Sequence, residues 1–241
     1  MNAFLKTSTL AGALVVALNV GTSHAALITT IDNVGGAPTG VVKDNLNWLA
    51  TGSAGGSHVV GGILVSIAFT PDAAVVTGSS SGAYAAPFLS GANGTGFGDP
   101  TGNQPNGADT TKYITSGSTG SFTPAKVAIS FDKKQLYFGL LWGSVDSYNT
   151  LKFYDGANLV GTLTGASVIS LPNGNQGAQG TVYANIVSTL AFDRVVATSS
   201  SYAFEFDNIA FSESNPVPEP ATMLLFGAGL IGLAGVARRR S

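Results

Sequence analysis

The sequence contains no cysteine and only two histidines in 241 residues. The missing cysteine excludes disulfides, thiolate metal sites and cysteine nucleophiles, so we expect packing and backbone hydrogen bonds to stabilise the fold. Outside the N-terminal segment the only histidine is His58, which we interpret as a solvated loop residue. A Ser-His-Asp hydrolase needs a histidine base and an exposed nucleophile, and no Gly-x-Ser-x-Gly motif is present. We therefore assign no catalytic residues and expect a protein that is not an enzyme.

Charged residues are also scarce, at 10% of the chain, against about 25% in ordinary soluble proteins. Between residues 26 and 214 there are seven basic and 12 acidic residues, which gives a net charge near −5. Nucleic-acid binding requires a basic surface that follows the phosphate backbone. The sequence therefore predicts no nucleic-acid partner.

The N-terminal segment has the three parts of a signal peptide in order: Lys6, an apolar run from Leu10 to Leu18, and the small-x-small sequence Ser23-His24-Ala25. This layout predicts a secretory signal at residues 1–25, cut by signal peptidase between Ala25 and Ala26. The alternative, an uncleaved anchor helix, needs about 20 apolar residues. Asn19 and Gly21 interrupt the run before that length.

The C-terminal tail, residues 215–241, also has three parts: Val217-Pro218-Glu219-Pro220, an apolar segment at 221–237, and Arg238, Arg239 and Arg240. A helix over the apolar segment would be about 25 Å long, enough to cross a bilayer. Arginines prefer the cytoplasmic side, so we predict that the body lies outside the inner membrane. A plain C-terminal anchor is the alternative interpretation.

All three parts of this tail resemble the PEP-CTERM sorting signal of Gram-negative bacteria. The resemblance implies processing by an exosortase, a membrane-embedded peptidase, in hosts that export polysaccharide and form biofilm. The same tail is catalogued as an ice-binding protein C-terminal motif, but the Thr-x-Thr ladder of an ice-binding surface is not visible. The segments Phe138–Thr150 and Phe204–Ala210 resemble a body that recurs in exosortase-dependent surface proteins, which implies a sandwich and no established activity.

The body, residues 26–214, has short alternating or apolar segments separated by Gly, Ser, Asn and Pro. This pattern predicts an all-β fold, an antiparallel β-sandwich of jelly-roll type, with one short helix at 41–50. Residues 151–154 and 159–163 flank Asp155-Gly156-Ala157-Asn158, the clearest predicted hairpin. Asp132-Lys133-Lys134 predicts a turn between two strands. Further strands are expected at 27–32, 62–69, 126–131, 136–142, 181–186, 190–198 and 202–211.

The last predicted strand carries the acidic residues that could support chemistry. Glu205 and Asp207 stand at i and i+2, which places both on one face about 6 to 7 Å apart at Cα. Such a pair could serve a carbohydrate-active hydrolase. Asp207 and Asn208 are alternatively candidate ligands of a structural calcium ion, because both offer hard oxygen atoms. A third interpretation is that Asp207 caps a turn.

Aromatic residues could instead form a sugar-binding platform; the candidates are Tyr84, Phe88, Phe97, Trp142 and Tyr148. We expect Trp142 in the core, whereas Phe97 and Tyr148 lie in predicted loops, where packing beneath the loop is the alternative. The function that we predict is an exported, non-catalytic cell-surface or matrix protein, with exopolysaccharide as a partner and at most a structural calcium ion as cofactor. A secreted carbohydrate-active hydrolase is the alternative.

Overall fold

The structure, a computed structural model, describes residues 26–32, 35–70, 73–97, 107–117, 125–201 and 203–216. These residues form antiparallel strands with one four-residue helix, so the predicted all-β class is confirmed. The elements are β1 (Leu27–Asp32), β2 (Val42–Asp44), β3 (Gly55–Val60), β4 (Ile63–Phe69), β5 (Ala73–Thr77), β6 (Phe88–Leu89), β7 (Gly107–Ala108), β8 (Lys112–Ser116), β9 (Ala125–Gly143), β10 (Asn149–Asp155), β11 (Asn158–Thr164), α1 (Gly165–Val168), β12 (Val182–Ser199) and β13 (Phe204–Ser212).

Eleven of the described strands form one sheet. Its main path runs β11-β10-β12-β9-β13-β8-β5, while β1 pairs with β12, β2 pairs with β13, and β4 joins β3 to β9. The two-residue strands β6 and β7 pair with each other outside this sheet. The arrangement of the sheet as a jelly-roll sandwich stays a prediction.

The two longest strands correct the predicted segmentation, because β9 and β12 each replace two predicted strands. β9 continues through Asp132, Lys133 and Lys134 without a turn. Tertiary contacts keep these polar residues in the strand: Lys134 pairs with Asp155 at 2.8 Å, and Asp132 Oδ1 accepts the Leu64 N–H at 2.9 Å. A local pattern of charged residues therefore resembled a turn although it is the exposed section of a continuous strand.

The main core combines aliphatic side chains with a cluster of aromatic rings from β9, β10, β12 and β13. Phe131 and Phe211 have ring centroids 4.9 Å apart, and Phe153 and Phe192 have theirs 5.1 Å apart. A second, smaller cluster lies on the opposite face of β9; its buried members are Leu89, Phe97, Tyr137, Leu141, Tyr183 and Ala210. Residues 136–142 are thus covered on both faces, as their continuous apolar sequence predicted.

The short predicted helix at 41–50 is wrong, because β2 pairs there with β13, with Asp44 opposite Ile209. Asp44 Oδ1 then accepts the Leu46 N–H at 2.9 Å and closes a turn that ends the strand. The predicted hairpin is confirmed: β10 and β11 pair around Gly156, whose φ of 58° is readily adopted by glycine.

The signal peptide at 1–25 and the predicted transmembrane helix at 221–237 lie outside the described residues. Among the residues that are described, no helix has the length and apolar character needed to cross a membrane.

Candidate functional site

The last strand, β13, carries two buried acidic side chains on the face opposite its phenylalanines. Phe204 and Phe206 pack in the main core, while Glu205 and Asp207 are only 2% and 1% exposed. The sequence correctly placed both carboxyls on one face, and the structure shows that this face is buried. Strands β8 and β9 flank β13, and Pro87 packs against Gly143 beside Glu205, so a further layer covers the carboxyls.

Glu205 is held by two hydrogen-bond donors. Its Oε1 accepts the Ala85 N–H at 2.8 Å, and its Oε2 accepts the Ser144 hydroxyl at 2.5 Å. Burial raises the pKa of Glu205 to about 7, and the charge of Asp146 acts in the same direction, while the two hydrogen bonds oppose the rise. The carboxyl therefore exchanges its proton near neutral pH.

Glu205 lies at the base of a pocket of about 300 Å³ that we call the polar pocket; it is lined by Tyr84, Ser144, Asp146, Tyr148, Asn173 and Glu205 among others. The Tyr148 hydroxyl donates to Asp146 Oδ2 at 2.6 Å. Burial raises the pKa of Asp146, and the bond from Tyr148 offsets part of that rise. Asp146, not Asp207, is therefore the carboxylate that shares a pocket with Glu205.

The raised pKa of Glu205 predicts a pH-dependent stability that Glu205→Gln removes. The folded chain keeps this proton up to about pH 7, whereas the unfolded carboxyl loses it near 4.5. The contribution of Glu205 is therefore complete below pH 4.5 and is lost as the pH rises through 7. Between these pH values we expect the unfolding free energy of wild type to fall by on the order of 3 kcal/mol relative to Glu205→Gln.

Urea denaturation across this pH range measures that difference. Glu213→Gln is the matched control, because Glu213 is exposed at the end of the same strand region. If wild type and Glu205→Gln show parallel pH profiles, the assignment of a raised pKa to Glu205 is wrong.

Asp207 belongs to a different environment from Glu205, because it faces Asp109, 2% exposed, in the segment after β7. Neither carboxylate oxygen of Asp207, nor Oδ2 of Asp109, accepts a well-aligned hydrogen bond from an N–H or O–H donor of the described residues. Burial raises the pKa of Asp207 well above its usual range, and the charge of Asp109 raises it further. A side-chain hydrogen bond between Asp207 and Asp109 also raises this pKa, whereas a backbone hydrogen bond from Asn208 lowers it.

Asn208 follows at a break in the register between β13 and β9, with a φ of 49°. Its buried carbonyl accepts the Tyr183 hydroxyl at 3.0 Å. Within the described part of the chain, no three His, Asp or Glu side chains are arranged so that they could hold a metal ion by themselves.

A second concave surface, which we call the basic trough, lies across the outward faces of β4, β9, β12 and β10. It encloses about 350 Å³, and its rim carries Lys126, Lys152, Tyr154 and Arg194. The floor consists of small side chains that are cross-strand neighbours: Val196 lies opposite Ala128, and Ala128 lies opposite Ala68. Because the floor residues are small and the rim residues long, the middle of the sheet face is recessed.

The cations of the basic trough have no acidic partner among the described residues, where the ion pairs involve His58, Lys133 and Lys134. Arg194 is fixed over the Tyr154 ring, 4.7 Å from its centroid, and donates to the Gly156 carbonyl at 3.0 Å. Three of the seven basic residues of the body thus lie on one face. The trough is a local positive surface on an acidic domain.

Histidine 58 is not a solvated loop residue, which corrects our interpretation. It lies in β3, stacks on Trp48 with centroids 4.2 Å apart, and bonds through Nε2 to Asp44 Oδ2 at 2.8 Å. Asp44 also accepts the Trp48 indole N–H at 3.2 Å. These contacts join β2 to β3 and give His58 two structural partners, Trp48 and Asp44, which the sequence could not reveal.

The aromatic candidates separate into core and pocket residues. Trp142 is fully buried, as expected, and stacks on Phe204 with centroids 4.5 Å apart. Phe97 is also buried, against Tyr183, so it offers no stacking platform. Tyr84 and Tyr148 line the polar pocket, and Phe88 is half-buried in β6.

Most of the predicted sorting residues, Ala25, Val217, Pro218, Glu219, Pro220, Arg238, Arg239 and Arg240, lie outside the described residues. Ala26, the predicted first residue after the signal, is described, and its N–H donates to Thr189 Oγ1 at 3.0 Å. Sequence reasoning missed Asp109, Asp146 and the basic trough. The signals for the trough were the outward alternation of Lys126 and Ala128 in one predicted strand and of Lys152 and Tyr154 in the hairpin. Neither pattern reveals which strands are neighbours in the sheet.

The fold defines an all-β protein in which one antiparallel sheet dominates. Residues 216–240 match the PEP-CTERM protein-sorting motif, which confirms the resemblance of the tail. This motif indicates an exported precursor that is anchored in the membrane, processed by an exosortase and sorted to the cell surface. No curated protein and no solved structure matches the chain.

Proposed function

We propose that this protein is a non-catalytic component of the cell surface or extracellular matrix that associates with an acidic exopolysaccharide through the basic trough. The sorting motif supports delivery to the surface. The single observation that carries the binding proposal is the group of unpaired cations, Lys126, Lys152 and Arg194, on one recessed sheet face. We further propose that the sheet folds over as a sandwich between a cleaved signal at 1–25 and a tail at 215–241.

The chemistry of the trough favours a polymer that carries carboxylates, such as a uronate polysaccharide. A guanidinium and two ammonium groups pair with carboxylates through charge-assisted hydrogen bonds. The Tyr154 ring holds the Arg194 guanidinium in place by a cation–π contact, so this cation is already positioned for a carboxylate. Among the described residues, the lining of the trough contains no carboxyl or histidine that could act as a catalytic acid or base, so this lining supports binding without turnover.

Binding to alginate, a uronate polymer, tests this proposal, with dextran as the uncharged polymer. We expect Lys126→Gln/Lys152→Gln to bind alginate at least about tenfold more weakly than wild type, because each lost charge contact contributes on the order of 1 kcal/mol. Binding by wild type should weaken as salt rises, because salt screens charges at the surface.

The matched control is Lys133→Gln/Lys134→Gln, which removes the same charge from exposed lysines that are paired with Glu213 and Asp155. This variant should bind alginate as wild type does. Equal loss in both double variants would mean that net charge alone governs binding, and the assignment to the trough would then be wrong.

A second candidate function, a carbohydrate-active hydrolase, is favoured by the polar pocket. Glu205, with a pKa of about 7, would act as the acid, and Asp146 as its partner carboxylate. Reducing-end release from polysaccharides by wild type, lost in Glu205→Gln, would support the hydrolase and reject the non-catalytic proposal. We expect no turnover by either protein.

A further inference from the structure

We propose that Asp109 and Asp207 bind a calcium ion that links the last strand, β13, to the covering segment after β7. Asp207 is 1% exposed and Asp109 is 2% exposed, and their carboxyls interact directly with each other. Both oxygens of Asp207 and Oδ2 of Asp109 receive no well-aligned hydrogen bond from an N–H or O–H donor of the described residues. This site lies apart from the basic trough, so the inference goes beyond the proposed function.

The geometry around Asp109 leaves one oxygen free for an ion. Its Oδ1 accepts the Thr111 N–H at 2.8 Å and the Thr111 hydroxyl at 2.6 Å. Its backbone N–H donates to the Pro87 carbonyl at 2.8 Å, which fixes the segment beside β13. Oδ2 is therefore held in place beside the carboxyl of Asp207, and no well-aligned N–H or O–H donor of the described residues reaches it.

The surroundings supply negative charge and no compensating cation. Asp44 adds a third buried carboxyl near Asp207, and its own oxygens are used by Leu46, Trp48 and His58. Among the described residues, the ion pairs do not include Asp109 or Asp207. Burial of a carboxylate without a donor or a counter-charge is unfavourable, so the pair must either share a proton or hold a cation.

The donor atoms favour calcium over other metal ions. They are hard carboxylate oxygens, which suit calcium and magnesium rather than zinc. Calcium accepts six to eight oxygens in irregular geometry, including neutral amide and water oxygens, whereas magnesium demands a near-ideal octahedron. Two carboxylates contribute here, so the remaining ligands would be neutral, and the buried side chain of Asn208 is the nearest candidate in the sequence.

Thermal unfolding of the purified full chain after treatment with a chelator tests the inference. Calcium at about 100 times its Kd should raise the Tm by roughly 5 to 10 °C, because the ion binds the folded state alone. Asp207→Asn and Asp109→Asn should each abolish this rise, while Asp155→Asn, at an exposed carboxylate paired with Lys134, should retain it. Asparagine keeps the shape of the aspartate side chain, so both variants are expected to fold. If one of them does not fold, the other still tests the proposal.

A direct probe accompanies the melting curves. The hydroxyl of Tyr183 lies 3.0 Å from the Asn208 carbonyl, so a phenol close to the site should sensitise bound Tb³⁺ when it is excited. We expect luminescence with wild type and Asp155→Asn, its displacement by calcium, and its loss in Asp207→Asn and Asp109→Asn. An unchanged Tm in calcium, or a rise that persists in both site variants, would overturn the proposal; an unchanged Tm would assign a shared proton to the pair.

Discussion

In a host that carries the exosortase, a protein with Glu219→Ala is expected to retain its residues through Ser241, whereas the wild-type protein loses its C-terminal segment. Glu219 is the only acidic residue of the tail, and it stands between two prolines. Proline removes a backbone N–H and restricts the preceding residue to extended conformations, so we expect the protease to meet the motif as an extended peptide. Replacement of Glu219 removes the charged group that distinguishes this peptide.

Intact-mass spectrometry of the mature protein measures this outcome directly. Glu213→Ala is the control, because it removes a nearby exposed acid that pairs loosely with Lys133 at 3.6 Å. The control should be processed as wild type is, and a host without the exosortase should leave both proteins uncut. A wild-type protein that ends at Ser241 in a normal host would show that the motif does not direct cleavage.

The second large effect is expected from Trp142→Ala, which should lower the unfolding free energy by about 3 to 5 kcal/mol. Trp142 lies in the central strand β9, is fully buried and stacks on Phe204. Its removal leaves a cavity in the main core beside Phe204, because β9 and β13 are held in place by their own pairing. Denaturation in urea measures the change, and the midpoint should fall without a change in slope.

Trp142→Phe is the matched control for this substitution. The indole N–H of Trp142 is buried without an acceptor, so phenylalanine retains a stacked ring and removes an unsatisfied donor. We expect Trp142→Phe to cost less than about 1.5 kcal/mol. A loss as large as that of the alanine variant would contradict the view that ring packing is the main contribution of this residue.

The body of the protein was predictable where the pattern is local. The β10 and β11 hairpin was confirmed because a glycine at φ 58° and two flanking apolar strands are specified within 16 residues. The expected helix at 41–50 failed because pairing with β13, more than 160 residues away, decides the conformation of Val42–Asp44. The break predicted at 132–134 failed for the same reason, since distant partners hold those charges in β9.

The candidate sites depended even more on distant contacts. The two-residue spacing correctly placed Glu205 and Asp207 on one face, but it could not indicate that different segments cover them. Asp146 lies 59 positions before Glu205, and Asp109 lies 98 positions before Asp207. The segment that carries Asp146 places Glu205 in a pocket, where its pKa is about 7. The segment that carries Asp109 buries Asp207 in a pair of carboxyls without well-aligned hydrogen-bond donors.

The sequence by itself determined the sorting of this protein and its β class. The sorting signal consists of the Pro-Glu-Pro motif, an apolar segment and three arginines in a fixed order along the chain. It can therefore be identified without knowledge of the fold. Tertiary structure alone decided which cations line the basic trough and which carboxyls are buried away from solvent. Electrostatic interactions depend on distance in space and on burial, and both are set by pairing among strands that are far apart in the sequence.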